Sequence, residues 1–514
     1  MKTTSWGYAA AAWAALAAAG SARLAAQPTM AGSQCLQVND QTRSSNRMAL
    51  AAADVDGDGL AELAVGTPYW SGPGDTYNGR FQTFEPGEPG LYIGDGLYAE
   101  PHRLFGTAVV SGDFDDDGIP DFAIGANEFG AGQGGYVMVR ASCGEFCWEA
   151  AMTLRQGSAG LADTSEASDR FGEALAGGDF DGDGHDDLAV GVPGESWIGV
   201  SGEYQGAVHV VYGSATGLNG SRDVLFGEHD LGTVRESGDR FGEALAAGDL
   251  DGDGYDDLAI GAPYENYAGI ASAGMVFVVF GSADGLDFSR RQVWTQNSAG
   301  IADTAEEDDR FGAVLAIGDL DRQSLFGTSR ADLVIAAPNE EDGATFDAGT
   351  VHVLYSDAAG PSATGSLQLF RPGGSVQGGE FGKTLLAARF GSDAAADLVV
   401  SAPWAVSDNN HRGEVFLYLG AAGAPLVPPG NAPWRPAGPS CAGAAPEAEQ
   451  FGAALVAGDF NHDGRRDLGI GVPQWSPNEP GEDFGLIEIL FGTPMLFSDS
   501  FETGTVERWS AGGG

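Results

Sequence analysis

Acidic residues recur along this chain in short loops whose spacing could hold a metal ion. The segment from Asp249 to Asp257 reads DLDGDGYDD, with carboxylates at loop positions one, three, five and nine and glycine at position six. Oxygens at these positions, with a backbone carbonyl at position seven, can surround one hard cation. Without a cation, so many like charges in one small loop would repel one another. The spacing predicts Ca²⁺ rather than Mg²⁺, because Mg²⁺ demands a tighter octahedral geometry.

Four more loops keep this spacing, so the sequence predicts five calcium ions. The predicted side-chain ligands are Asp54, Asp56, Asp58 and Glu62; Asp113, Asp115, Asp117 and Asp121; Asp179, Asp181, Asp183 and Asp187; Asp249, Asp251, Asp253 and Asp257; and Asp459, Asn461, Asp463 and Asp467. Two further loops lose the pattern. An insertion separates Asp321 from Asp332, and Arg389 replaces the first acid of the other loop. The alternative for all of them is an acidic turn that holds no metal.

The seven loops mark seven repeats. They begin at Asp54, Asp113, Asp179, Asp249, Asp319, Arg389 and Asp459, at spacings of 59, 66, 70, 70, 70 and 70 residues. Each repeat contains four short apolar segments separated by Gly and Asp turns, as in RFGEALAAGDL, DLAIGAP, GMVFVVFG and RQVWTQ. A long constant period of four short strands predicts an all-β fold, a seven-bladed β-propeller of four-stranded blades.

The two ends of the repeat region predict how the ring closes. The last repeat stops after its third strand, and CLQV (Cys35 to Val38) supplies an unpaired strand before the first acidic loop. We expect this N-terminal strand to complete the last blade, because closure removes two exposed sheet edges. The alternative is that PMLF (Pro494 to Phe497) completes the blade locally. The propeller is predicted to span residues 33–495.

The stretch RFGEALAAGDLDGDGYDDLAIGAP (Arg240 to Pro263) resembles the FG-GAP repeat of the integrin α-subunit head. The resemblance covers roughly residues 33–495, nearly the whole mature chain. It departs from the family pattern at Asn46-Arg47, where Phe-Gly is expected, and at Ser401-Ala402-Pro403. It implies a seven-bladed propeller with calcium in the acidic loops and a ligand-carrying face opposite them. No individual contact residue can be transferred from the family.

Composition and the N-terminus predict an exported protein. The formal net charge of −48 argues against nucleic acids and anionic membranes as partners. Residues 1–26 carry one Lys before an Ala-rich apolar run and small residues, which is typical of a signal peptide; the alternative is an N-terminal membrane anchor. No later segment approaches membrane-spanning length. We therefore expect a monomeric protein, secreted or at the cell surface.

Two further expectations concern the tail and the cysteines. Residues 496–514 resemble a short terminal tag on secreted proteins of some Gram-negative bacteria, which suggests such an origin; the alternative is a disordered tail. Export would allow disulfides to persist. Cys143 and Cys147 are close enough in sequence for a local bridge, and Cys35 with Cys441 would form a second, although sequence does not fix the connectivity.

Aromatic residues follow the Gly-Ala-Pro position of several repeats, in loops that should lie opposite the acidic loops. These residues are Tyr69, Trp70, Trp197, Tyr264, Trp404 and Trp475. They could form a platform for a glycan or a protein. The favoured interpretation is that most of them fill the narrow centre or cover blade interfaces. Loops on a repeat scaffold are nevertheless where binding residues are usually found.

The chain contains no recognisable catalytic motif. His209 and His352 occupy equivalent strand positions, which suggests packing rather than catalysis. The sequence therefore predicts a calcium-binding module, not an enzyme, for binding or adhesion to a glycan or protein ligand. The alternatives are an extracellular hydrolase of carbohydrates or esters that uses the loop face, and a scaffold in a cell-surface assembly.

Overall fold

Each acidic loop joins the first two strands of an antiparallel sheet in a computed structural model of the chain. The structure describes residues 27–28, 33–38, 47–69, 79–84, 92–96, 103–128, 134–142, 152–197, 203–321, 329–390, 395–405, 413–421, 423–427, 450–475 and 484–491. Seven such sheets follow one another along the chain, and the first strand of each packs against the first strand of the next. The predicted seven-bladed propeller of four-stranded blades is confirmed.

The strands of each blade follow chain order from the axis outward. Blade 1 comprises Ala49–Ala53, Glu62–Thr67, Arg80–Phe84 and Tyr92–Gly96; blade 2 comprises Arg103–Gly112, Asp121–Glu128, Tyr136–Arg140 and Met152–Leu154; blade 3 comprises Leu175–Gly178, Asp187–Val192, Ala207–Val211 and Val224–Phe226; blade 4 comprises Ala244–Gly248, Asp257–Ala262, Met275–Phe280 and Asp287–Trp294. Blade 5 comprises Val314–Gly318, Asp332–Ala337, Thr350–Leu354 and Leu367–Leu369; blade 6 comprises Leu385–Ala388, Asp397–Ala402, Glu414–Ala421 and Ala424–Val427; blade 7 contains Ala454–Gly458, Asp467–Trp475 and Phe484–Leu490.

Short elements lie between the blade strands. The strands Ser356–Asp357 and Gly360–Pro361 form a two-residue ladder after the third strand of blade 5. Within the described ranges the helical segments are two 3₁₀ turns, Gly220–Arg222 and Glu228–Leu231. None of the described helices is long and apolar enough to cross a membrane.

The N-terminal strand closes the ring. Ser33–Val38 pairs antiparallel with Phe484–Leu490, with Leu36 opposite Ile487, so it is the fourth strand of blade 7. The predicted N-terminal closure is therefore confirmed. A two-residue strand, Gln27–Pro28, pairs outside it as a fifth strand that the sequence did not predict. Residues 494–497, the alternative, lie outside the described residues.

The second strand of a blade is buried on both faces because neighbouring blades pack against it from either side. All six residues of Asp257–Ala262 are buried. Leu258 and Ile260 belong to a cluster shared with blade 3, whereas Ala259 belongs to one shared with blade 5. Such strands are continuous apolar runs rather than alternating ones. The core is therefore a series of inter-blade layers.

A Phe-Gly pair, present in six of the seven repeats, packs one blade against the next. Phe241 of blade 4 is fully buried, packs edge-to-face on Phe277 at 5.3 Å, and bridges to the backbone of Gly206 in blade 3. A Cβ on Gly206 would lie 2.2 Å from the Phe241 carbonyl oxygen, so only glycine fits there. In blade 1, where Phe-Gly is absent, Met48 is buried and packs with the residues that join blades 7 and 1.

Candidate metal centres and the opposite loop face

The first aspartate of each intact acidic loop is held by the glycine at position six. Its carboxylate accepts a backbone N–H from that glycine, whose φ lies between 78° and 93° in the five loops. The nitrogen-to-oxygen distances are 2.9 Å for Gly59 to Asp54, 2.9 Å for Gly118 to Asp113, 2.9 Å for Gly184 to Asp179, 3.1 Å for Gly254 to Asp249 and 2.8 Å for Gly464 to Asp459. The five loops therefore share one backbone geometry.

The acids at positions three and five are oriented by the loop itself. In blade 2, Asp115 Oδ1 accepts the N–H of Asp117 at 3.2 Å, and Asp117 Oδ1 accepts the N–H of Ile119 at 2.8 Å. In blade 7, Asn461 Oδ1 accepts the N–H of Asp463 at 3.0 Å in the same way. These bonds fix the side chains before any ligand binds, which lowers the ordering cost of binding.

The acid at position nine has a structural role that the sequence did not predict. Asp187 is fully buried, and its two oxygens accept the N–H groups of Phe180 at 2.8 Å and Gly213 at 2.7 Å. Burial raises the pKa of Asp187 to about 7, and the charges of Asp181 and Asp179 also raise it. The two backbone hydrogen bonds act in the opposite direction. This residue therefore ties the loop to the end of the third strand.

Blades without an intact acidic loop keep this tie. Asp332 accepts the N–H groups of Leu320 and Ser356, and Asp397 accepts those of Phe390 and Gly420 in the same pattern. The ninth acid thus makes the same backbone hydrogen bonds whether or not the other acids of the loop are present. This periodic acid could have been recognised in the sequence, since it survives where the other acids are lost.

The donor set fits a hard divalent cation. One oxygen from each of Asp54, Asp56 and Asp58 lies within 4.8 Å of the others, as do oxygens of Asp113, Asp115 and Asp121 and of Asp179, Asp181 and Asp187. Two calcium ligands on opposite sides of one ion are separated by about 5 Å, because each Ca–O bond is about 2.4 Å. In each of these three loops, three of the four predicted carboxylates are therefore close enough to share an ion.

Arginines contact two of the loops, a feature the sequence did not indicate. Arg222 Nη2 lies 2.5 Å from Asp181 Oδ2, and Arg290 Nη2 contacts Asp251 Oδ2 while its Nη1 lies 3.3 Å from Asp253 Oδ2. Both arginines lie outside the loop in sequence but on the same face of the propeller. They neutralise part of the charge of loops 3 and 4.

The structure describes only part of the two loops that lost the acidic spacing. In blade 5, residues 322–328 lie outside the described part of the chain, and Ser329 Oγ donates to the carboxylate of Asp319. In blade 6, Arg389 is exposed, and residues 391–394 lie outside the described part.

The predicted loop-face aromatics are mainly partnered where the structure describes them. Trp197 Nε1 donates to the carbonyl of Gly206 at 2.9 Å, and its ring packs against His229. Tyr264 lies between the guanidinium groups of Arg240 and Arg310, at 4.2 and 4.9 Å from the ring centre. These contacts agree with the packing interpretation.

For the other predicted aromatic residues the structure gives burial alone or does not describe the side chain. Tyr69 and Trp404 are partly buried. Trp475 ends the second strand of blade 7, but its side chain lies outside the described residues, as does Trp70. The two histidines are buried and packed: His209 lies 2.9 Å from Asp223 and His352 lies 3.0 Å from Asp303.

Two apolar residues on the loop face were not predicted. Phe346, in the loop after the second strand of blade 5, is 54% exposed, and Val234, in the crossover from blade 3 to blade 4, is 76% exposed. Phe346 lies in a loop of a rigid scaffold, where binding residues are usually found, and is therefore a candidate contact for a ligand. Of the predicted disulfide partners, Cys143, Cys147 and Cys441 lie outside the described residues, and so does the side chain of Cys35.

Comparison with known families gives these repeats a name. The FG-GAP repeat matches residues 46–84, 105–139, 171–211, 241–279 and 451–485. The chain therefore contains five segments that match the FG-GAP repeat. The five matched segments contain the five intact acidic loops, and the two blades with degraded loops are unmatched.

Similar proteins include integrin α-subunits and a phospholipase. The chain is 32% identical over 238 residues to integrin alpha pat-2 of Caenorhabditis briggsae (43% of this chain, 17% of the relative) and 31% identical over 318 residues to integrin alpha-PS2 of Drosophila melanogaster (56% and 20%). It is 34% identical over 184 residues to phosphatidylinositol-glycan-specific phospholipase D of Rattus norvegicus (35% and 20%). The aligned regions thus span a fifth or less of these relatives.

Proposed function

We propose that this protein is an exported, calcium-binding propeller that acts as an extracellular or cell-surface module for binding or adhesion. The observation that carries the proposal is the coincidence of three features in the same five repeats: the acidic spacing, the shared loop geometry and the FG-GAP match. The similarity to integrin α-subunits supports a binding role.

Calcium would be held by the acids at positions one, three, five and nine of the five intact loops. When bound, the ion supplies positive charge at the point where these carboxylates converge. Asp257 shows why positive charge is needed there. Burial and the charges of Asp251 and Asp249 raise its pKa to about 8, although two backbone hydrogen bonds act to lower it. Because the loop is part of the blade, binding energy at the loop becomes folding energy of the propeller.

The ligand would bind at the loops opposite the calcium loops. Phe346 is exposed there, in the same loop as the partly buried Glu341 and the exposed Asp342. An aromatic ring flanked by carboxylates suits a sugar ring with hydroxyl donors or a basic, partly apolar protein surface. We therefore propose a glycan or a protein as the ligand class.

The test is capture by the mature protein on immobilised polysaccharides and extracellular matrix proteins, in calcium and in chelator. We expect calcium-dependent binding that Phe346→Ala weakens about tenfold or more, as for an interface hot spot. Val293→Ala, at a partly exposed residue on the outer strand of blade 4, is the matched control and should bind like the native protein. Binding that survives Phe346→Ala unchanged would contradict the assignment of this face.

An extracellular hydrolase is the second candidate function, favoured by the similarity to the phospholipase D. The same protein should then turn over members of a panel of phosphodiesters, carboxylic esters and polysaccharides. Turnover that Phe346→Ala reduces would select the hydrolase over the binding module.

A further inference from the structure

Three buried carboxylates converge on the loop face between blades 3 and 4. Glu228 lies in the crossover between the two blades, Asp239 precedes the Phe-Gly pair of blade 4, and Glu265 follows the second strand of blade 4. One oxygen from each residue lies within 4.8 Å of the other two. We call these residues the crossover triad. It is on the opposite side of the propeller from the acidic loops.

The triad is deeply buried and lacks cationic partners. The exposed fractions are 1% for Glu228, 0% for Asp239 and 6% for Glu265. Both carboxylate oxygens of Glu228, Oδ1 of Asp239 and Oε2 of Glu265 have no hydrogen-bond donor within reach. In the described part of the chain, no Lys, Arg or His side chain forms an ion pair with any of the three. Buried charge without compensation is strongly unfavourable.

In the crossovers after blades 2 and 4, a glutamine side chain donates a hydrogen bond to the buried glutamate. The residue two positions after the fourth strand is Gln156 after blade 2 and Gln296 after blade 4. Gln156 Nε2 donates to Glu195 at 2.5 Å, and Gln296 Nε2 donates to Glu340 at 2.5 Å. Glu228 holds the equivalent position after blade 3 and cannot donate when ionised.

The crossover after blade 5 uses a charge instead. Arg371 holds the equivalent position there, and its Nε donates to Glu414 at 2.7 Å. Of the four described crossovers of this type, only the one after blade 3 has a carboxylate, Glu228, at this position. Glu166, Asp169 and Glu195 also converge after blade 2, but there Gln156 donates to Glu195. After blade 3, an external positive charge would fill that role.

We infer that the crossover triad is a cation site for a hard divalent ion, Ca²⁺ in a calcium-rich medium, which joins blade 3 to blade 4 on the loop face. The geometry meets the requirement for shared coordination, because ligands around one Ca²⁺ lie within about 5 Å of one another. Carboxylate oxygens alone select hard cations over Zn²⁺ or Cu²⁺. Burial and mutual repulsion raise the pKa of Glu228 and Glu265, which agrees with a site that binds either protons or a cation.

The deciding variant is Glu228→Gln, which recreates the arrangement found at Gln156 and Gln296 and is therefore expected to fold. Glu307→Gln, at an exposed acid on the same face, removes the same charge and is the matched control. Calcium bound to the full mature chain is counted by native mass spectrometry. We expect one ion fewer in Glu228→Gln than in the native protein and no change in Glu307→Gln. Equal counts in the native protein and Glu228→Gln would overturn the proposal.

The reverse substitution and a crystal give independent readouts. Gln296→Glu places a further carboxylate beside Glu340, Asp309 and Asp303 and should gain one ion; an unchanged count would contradict the role assigned to this position. Crystals of the native protein soaked in terbium should show an anomalous peak among the three carboxylates. The absence of that peak, with peaks present at the acidic loops, would overturn the triad site and leave the proposed function intact.

Discussion

The backbone N–H of Ala61 donates to the carbonyl oxygen of Asp459 at 2.9 Å, which bonds the acidic loop of blade 7 directly to blade 1. The same contact joins other blades, from Asp256 to Asp179 at 3.0 Å and from Ala331 to Asp249 at 2.8 Å. Each candidate calcium loop involved is therefore also a joint between blades. An ion that orders the loop would also order this contact between blades. Removal of calcium should therefore destabilise the whole propeller.

The first prediction separates the fold role of the ninth acid from its metal role. Asp397→Asn in blade 6, which lacks an intact loop, should lower the free energy of unfolding by about 1–3 kcal/mol, because a buried acceptor is replaced by an amide. The loss should be the same in calcium and in chelator. Asp187→Asn should lower the free energy of unfolding by more in calcium than in chelator, because it also removes a calcium ligand. Urea unfolding in both media provides the measurement, and equal losses for Asp187→Asn would contradict its role as a ligand.

A second prediction concerns the arginine beside loop 3. Arg222→Met removes a cation that contacts Asp181, so repulsion toward incoming Ca²⁺ falls. Because the guanidinium is partly exposed, the calcium affinity of this loop should rise only about two- to fivefold. Calorimetric titration measures the change. Arg235→Met, whose guanidinium lies over Trp197 on the other face, is the control. A weaker calcium affinity in Arg222→Met would show that the arginine supports the site.

The third prediction tests ring closure by the N-terminal strand. Leu36 is 5% exposed and packs in one cluster with Leu63 of blade 1 and Ile487 of blade 7. Leu36→Ala should therefore lower the free energy of unfolding by about 2–5 kcal/mol. Val234→Ala, at a residue 76% exposed, should change it by less than about 0.5 kcal/mol. Equal effects in thermal unfolding would mean that the strand does not hold the ring.

The fourth prediction is a pH dependence of the metal-free protein. Burial, with the charges of Asp309 and Asp303, raises the pKa of Glu340 from 4.5 to about 9 despite its hydrogen bond from Gln296. Between these pH values the folded state binds more protons than the unfolded state, so stability falls as pH rises. Glu340→Gln removes this carboxyl and should flatten the dependence. Melting temperatures from pH 5 to 9 in chelator measure it, and a native stability that increases over this range would contradict the assignment.

Periodicity explains what the sequence could predict. The repeats, the strand order, the five intact loops and the closing strand all follow from patterns that recur at about 70 residues. The ninth acid was assigned only as a ligand because spacing cannot show that Asp187 accepts the N–H of Gly213, 26 residues away.

The features that the sequence could not predict depend on contacts between segments that are distant along the chain. Arg222 approaches Asp181 because the loop between the third and fourth strands lies on the same face as the acidic loop. The crossover triad joins Glu228 of one repeat to Glu265 of the next, so each acid alone looks like an ordinary loop residue. The triad is indicated by the replacement of glutamine by Glu228 at the second position after the fourth strand. This replacement is visible only after the repeats are aligned on the structure.

The most direct test of the central claim is calorimetric calcium titration of the chelator-stripped mature Glu228→Gln variant, with melting followed in parallel. This variant removes the crossover triad and leaves the acidic loops intact. We expect five bound ions and a clear rise in melting temperature with calcium. No binding, or binding without a rise in melting temperature, would contradict the claim that the five acidic loops hold calcium and that calcium holds the ring together.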